Sequence, residues 1–158
     1  MSAHRGVGDT PYVVWRWVRS TPNAPAQARI ALRCALVELR LDDEAITDAV
    51  LAVSELVTNA TRYATGPYEM RLRRIAEEIF CEVEDHDPRI PDIPTFPVAA
   101  PYAPNSESRG GGLDALCAVL SERGRGLHIV HELSNGFWGF RGGERTKTAW
   151  FAVSASTQ

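Results

Sequence analysis

The chain has 158 residues, 44% of them hydrophobic and 23% charged, which fits one globular domain with a single sizeable core. Its 17 basic and 20 acidic residues leave a net charge of −3, too mild for a nucleic-acid backbone or an anionic membrane to be the main partner. No window is apolar for long enough to span a bilayer, and Met1–Thr10 lacks the apolar core of a signal peptide, so a cytoplasmic location is expected.

Taken in chain order, residues 1–11 are expected to form a flexible N-terminus. Tyr12–Val18 is rich in aromatic and β-branched residues and reads as a strand. Thr21-Pro22-Asn23 then starts a helix to Leu39, with Leu32, Ala35, Leu36 and Leu39 on one apolar face. Asp42 or Asp43 can cap a second helix to about Ala64, whose stripe is Ile46, Ala49, Val50, Val53, Leu56, Val57, Ala60 and Ala64. Tyr68–Ile75 and Ile79–Asp85 alternate as an antiparallel hairpin with a turn at Glu77-Glu78.

Prolines 88, 91, 94, 97, 101 and 104 then exclude regular structure, and a glycine-rich link and a short helix over Leu113–Arg123 follow. The segment from about 88 to 123 reads as a lid, with a polyproline II segment as the rival reading of its prolines. Beyond it come a helix over Leu127–Ser134, a stop at Asn135-Gly136, and two strands, Phe137–Arg141 and Thr146–Val153. The domain is thus expected over residues 12–154, with a tail at 155–158. The pattern predicts an α+β, two-layer sandwich with a mainly antiparallel sheet and helices on one face. Cys34, Cys81 and Cys117 sit among apolar neighbours, which predicts buried free thiols rather than a disulfide framework or a metal site.

Three places can carry chemistry. Glu55 and Asn59 lie one helical turn apart on a face nearly opposite the core stripe. That face is either simply solvated or lies along a nucleotide. In the second case the Asn59 carbonyl would help hold Mg²⁺, and Glu55 would accept a proton from an incoming hydroxyl or water. Asp85 ends an inward-facing apolar row, so it either caps the turn before His86-Asp87-Pro88 or accepts a hydrogen bond from an exocyclic amine such as that of adenine. Gly124-Arg125-Gly126 precedes a helix, as either a flexible entry or a phosphate cradle at a positive dipole end.

The order of these pieces adds to each of them. Glu55-Leu56-Val57-Thr58-Asn59-Ala60, then Val83-Glu84-Asp85, Gly124-Arg125-Gly126-Leu127-His128-Ile129-Val130 and Lys147-Thr148-Ala149-Trp150 resemble the N box, two glycine boxes and terminal Thr motif of the GHKL ATPases. The likeness runs from Tyr12 to Val153 and is closest to the anti-sigma-factor serine kinases. It implies the Bergerat ATP-binding fold, ATP and Mg²⁺ as cofactors, and an ATP-dependent serine/threonine kinase. That kinase would phosphorylate a STAS-type anti-anti-sigma protein and sequester a sigma factor. Relatives often form homodimers.

By the same resemblance Glu55 would be the general base and Asn59 the Mg²⁺ ligand. Asp85 would bind the adenine amine, supported by Thr148 directly or through water. Gly124, Arg125, Gly126 and Leu127 would cradle phosphates. Apart from the resemblance, Arg89, Arg109 and Arg123 could each reach a γ-phosphate from the lid, with plain solvated arginines as the default reading for at least two of them. Periodicity leaves the sheet face of Thr148 open, because Trp150 on its side and Phe151 on the other are both apolar.

One departure stands out: the family's first glycine box reads D-x-G-x-G, whereas this chain has Asp85-His86-Asp87-Pro88-Arg89. Without those glycines, lid closure, affinity and turnover come into question, and Asp87 would repel phosphate if it faced the cleft. The alternative function is therefore a non-catalytic partner-binding module. The catalytic piece of a sensor histidine kinase fits less well, since His128 and His131 lie in the phosphate-site helix and read as surface or packing residues.

Overall fold

The computed structural model describes residues 11–91 and 126–153. Met1–Thr10, the expected helix Leu113–Arg123, most of the lid with Arg109 and Arg123, Cys117, Gly124, Arg125 and the tail lie outside the described residues. The elements run β1 (Tyr12–Trp17), α1 (Ala24–Glu38), α2 (Asp43–Tyr63), β2 (Tyr68–Ile75), β3 (Glu78–Asp85), α3 (residues 126–133), β4 (Trp138–Gly142) and β5 (Lys147–Val153). The strands form one sheet in the order β1-β2-β3-β5-β4, every pairing antiparallel. The fold is the α+β two-layer sandwich that the periodicity predicts. Among the described residues no helix is long and apolar enough to cross a membrane.

Each helix starts for a local reason. Asn23 precedes α1 in the left-handed region, and Pro25 sits in the first turn, where its missing N–H costs nothing. Asp42 caps α2 by accepting from the Ala45 amide at 2.7 Å, and Asp43 and Glu44 complement the positive dipole end. The apolar stripe of α2 then buries Ile46, Ala49, Val50, Val53, Leu56, Val57 and Ala60 against the sheet and α1. From α1, Ala28, Leu32 and Leu36 are fully buried in the same core, each leucine contributing about 1.5–3 kcal/mol of transfer free energy. α1 lies over β1, and α2 lies over β3 and β5.

Several expectations need correction. Leu39 is the C-cap of α1 and is 40% exposed, since the helix ends at Glu38 and carries the core stripe no further. Cys34 is exposed although its neighbours Ala35 and Leu36 are buried, because each helical step turns about 100°. Cys81, in contrast, is fully buried in β3, and burial pushes its thiol well above the ordinary range. The β2–β3 turn falls at Ala76-Glu77, with Ala76 at a φ of 59°, and Glu78 already pairs with Ile75.

The helix-facing side of the sheet carries Tyr68, Met70, Leu72, Ile79, Cys81, Val83, Ala149, Phe151 and Val153. The other side carries charge. Glu82 is 1% exposed, and its carboxylate accepts from Arg73 at 2.8 Å, Arg71 at 3.1 Å and Arg141 at 3.2 Å. Glu69 and Glu84 lie directly opposite each other across the ladder, and the Arg71 guanidinium bridges them at 2.9 and 3.3 Å. Beside this cluster the Trp150 ring lies over Gly139, where an added Cβ would sit 3.1 Å from the indole.

Burial pushes Glu82 towards protonation, but Arg73, Arg141 and Arg71 together outweigh it and hold the carboxyl below its ordinary 4.5. Burial also opposes ionisation of Glu69, and Arg16 and Arg71 likewise win. Both groups are therefore more acidic folded than unfolded. Their stabilisation is complete above the ordinary glutamate range and is lost as pH falls through the lower folded values. Urea midpoints measured across pH should stay level down to about pH 5 and fall steeply below it, and Glu82→Gln should flatten that acid limb. A native curve that keeps its midpoint in acid would contradict the assignment.

Candidate functional site

A cleft opens between the C-terminal half of α2 and the adjoining ends of β3 and β5. Its walls include Leu56, Asn59, Ala60, Val83, Asp85, Pro91, Phe140, Lys147 and Ala149, around a narrow space of about 20 Å³. Apolar surface with a few convergent polar groups is the usual make-up of a small-molecule site. Asn59 and Asp85, 26 positions apart in sequence, thus line the same space.

Asp85 is 4% exposed and points towards the helix layer, as the alternation of β3 predicts. Its charge partner is Lys147, at 6% exposure, which stands directly opposite it in the β3–β5 register. The Lys147 ammonium donates to Asp85 Oδ1 at 3.0 Å and to the Asp87 carbonyl at 3.1 Å, and lies 2.9 Å from Asp85 Oδ2 as an ion pair. Burial dominates the electrostatics of Asp85 and leaves its carboxyl above the ordinary aspartate value, even though Lys147 and the Asp87 amide favour the charged form.

The turn after Asp85 closes without glycine. The Asp87 amide donates to Asp85 Oδ1 at 2.9 Å, and the Arg89 amide donates to Asp87 Oδ1 at 3.1 Å, giving two successive Asx turns. His86 is held by Thr65 and Pro67: its amide donates to the Thr65 carbonyl, and Nδ1 donates to the Pro67 carbonyl at 2.8 Å, which sets the tautomer. No residue from His86 to Arg89 has a positive φ, so this backbone does not call for the conformational freedom of glycine. Asp87 is clamped by the Arg89 guanidinium at 3.0 and 2.9 Å, which holds its carboxyl far below the ordinary range. Its charge is thereby matched locally, and Arg89 is engaged there as well.

Glu55 belongs to the same face of α2 but meets a different neighbour. A Cβ built on Gly126 would lie 2.7 Å from Glu55 Oε1, so the start of α3 comes close to this carboxylate. Gly126 and Glu55 are thus brought together, while Leu127 turns its side chain fully into the core. Ala52, small and 1% exposed, lies one turn before Glu55. At the other end of α3, Asn135 and Gly136 take positive φ, and the Gly136 amide donates to the His131 carbonyl, which ends the helix where the sequence predicts. His131 is a packing residue, with Nδ1 accepting from the Trp138 indole at 3.0 Å, and His128 is exposed.

Thr148 does not join the cleft. It stands opposite Glu84 and accepts from Arg71 Nη2 at 3.4 Å on the outer face of the sheet, because the register that puts Lys147 against Asp85 turns the next residue away. Lys147 is the residue that sequence reasoning missed. Its signal was the cation heading an otherwise inward apolar row, Lys147, Ala149, Phe151 and Val153.

A family model for the histidine kinase-like ATPase domain matches residues 18–149, which span the helices, the cleft and the start of β5. The chain belongs to this family. No curated protein matches it. Family membership makes ATP the molecule to test against the cleft. The donor chemistry fits a magnesium nucleotide to this extent: Asn59, in the cleft wall, carries a hard amide oxygen. Magnesium usually reaches such sites with the phosphates and several waters, through one or two protein ligands.

Proposed function

We propose that the chain is an ATP-dependent protein serine/threonine kinase. In this reading it phosphorylates a STAS-type anti-anti-sigma protein and holds a sigma factor as its other partner. The observation that carries the kinase reading is the division of labour along α2: Asn59 borders the Asp85 cleft, while Glu55 one turn earlier borders the start of α3. The choice of partners rests on the resemblance of the motif series to the anti-sigma-factor kinases.

The chemistry follows from those positions. Asp85 accepts the adenine amine, and Asn59 offers its carbonyl to the magnesium that accompanies the phosphates. The α3 start, with Gly126 lacking a side chain, offers backbone amides to the phosphate chain. Glu55 takes the proton of a substrate hydroxyl as that oxygen bonds to the γ-phosphorus. The bond from the γ-phosphorus to the bridging oxygen breaks, and ADP leaves.

Calorimetry with magnesium-ATP tests the first requirement. The native chain should bind, and Asp85→Asn should weaken binding by about tenfold or more, as expected for loss of a hydrogen bond to a charged acceptor. A melt of the variant checks that it folds. Failure of the folded native chain to bind at millimolar ATP would sink the kinase reading. The non-catalytic partner-binding module would then take its place, a reading favoured by the contact of Lys147 with both Asp85 oxygens.

A further inference from the structure

Lys147 sits in the cleft wall with its ammonium against Asp85, the two side chains 8% and 6% exposed. A buried ion pair is weak evidence for a purely stabilising role, because desolvation of both charges offsets much of their attraction. Lys147 also holds the Asp87 carbonyl of the neighbouring turn, but not alone. That turn is already closed by the Asp87 amide on Asp85, the Arg89 amide on Asp87, the Arg89 side chain, and His86 on Pro67.

We infer that Lys147 reads the nucleobase alongside Asp85, the two forming an acceptor–donor pair for the amino and ring-nitrogen edge of adenine. The inference rests on the proposal that the cleft holds a nucleotide. An ammonium has three donors and a carboxylate about four acceptor directions. Lys147 directs contacts to both oxygens of one carboxylate, at 3.0 and 2.9 Å, and to the Asp87 carbonyl, at 3.1 Å. Asp85 takes those two contacts plus the Asp87 amide, which leaves one acceptor direction free.

Adenine presents an amine donor beside the N1 acceptor. The amine fills the free direction on Asp85, and Lys147 turns one N–H from the doubly contacted carboxylate to N1. Neither buried charge is stranded by this exchange, since Lys147 keeps one bond to Asp85 and its bond to the Asp87 carbonyl. A base lacking the N1 acceptor leaves the pair closed on itself and gains only the amine contact. Lys147 is thus a specificity-determining residue, and Asp85 acts with a cationic partner rather than alone.

The experiment compares binding of magnesium-ATP and magnesium-1-deaza-ATP, which replaces N1 by a carbon, to the native chain and to Lys147→Met. The native chain is expected to prefer ATP by about tenfold or more, and the Met variant to bind both within about twofold of each other. A native preference below twofold overturns the inference without any variant. So does a Met variant that keeps the full preference, or one that binds ATP more tightly than the native chain, which would make Lys147 a plug. If the native chain binds neither nucleotide, the proposed function fails and the inference fails with it. Binding of ATP without discrimination removes the inference alone.

Discussion

Glu55→Ala is expected to lower phosphoryl transfer by about 10²–10⁴-fold while magnesium-ATP affinity stays within about twofold. The carboxylate lies near the start of α3 and is not among the residues lining the Asp85 cleft, so its removal should spare recognition of the base. It should instead leave the attacking hydroxyl without a proton acceptor. The measurement pairs transfer of label from γ-labelled ATP to a co-purified partner with calorimetry on the same preparation. Unchanged transfer would remove Glu55 from its role. Loss of transfer together with loss of ATP binding would point to a collapsed site rather than a missing base.

The second large effect belongs to the far side of the sheet and should not depend on nucleotide. Glu82→Ala removes the carboxylate on which Arg71, Arg73 and Arg141 converge, leaving three guanidinium groups crowded together. Breaking a buried pair from one side costs about 3–5 kcal/mol. Arg73 and Arg141 are 25% and 50% exposed, and solvent screens them. The expected loss is therefore about 2–4 kcal/mol, seen as a urea midpoint shift at constant slope and a melting temperature lower by several degrees. Glu82→Gln should recover part of it, because an amide oxygen still accepts from a guanidinium. A change below about 0.5 kcal/mol would mean that the cluster is only a solvated charge ladder.

The layers of this fold were legible because α2 and β3 follow strict periods. The α2 stripe at three- and four-residue spacing predicted a buried helix face, and the alternation of β3 placed Asp85 inward. Legibility ended where meaning depends on a partner strand. Lys147 is one cation in a turn-to-strand stretch until the pairing Asp85↔Lys147 is known, and that same pairing turns Thr148 away. Glu82 shows the same limit. Alternation turned it away from the helices, but its burial requires two arginines from β2 and one from β4. The glycine-box departure shows a third limit: the missing glycines are legible in the sequence, but the side-chain carboxylates that supply the turn's hydrogen bonds are not.

Asp85 and Lys147 meet across 62 positions of sequence, and only the β3–β5 ladder holds them together. Most other strand contacts close short hairpins, so this ladder carries the largest loop-closure entropy near the cleft. Its ends frame the pair that would hold the base. A molecule bound there would add its binding free energy to the folded state while bridging the seam of the sheet that the chain must travel farthest to sew.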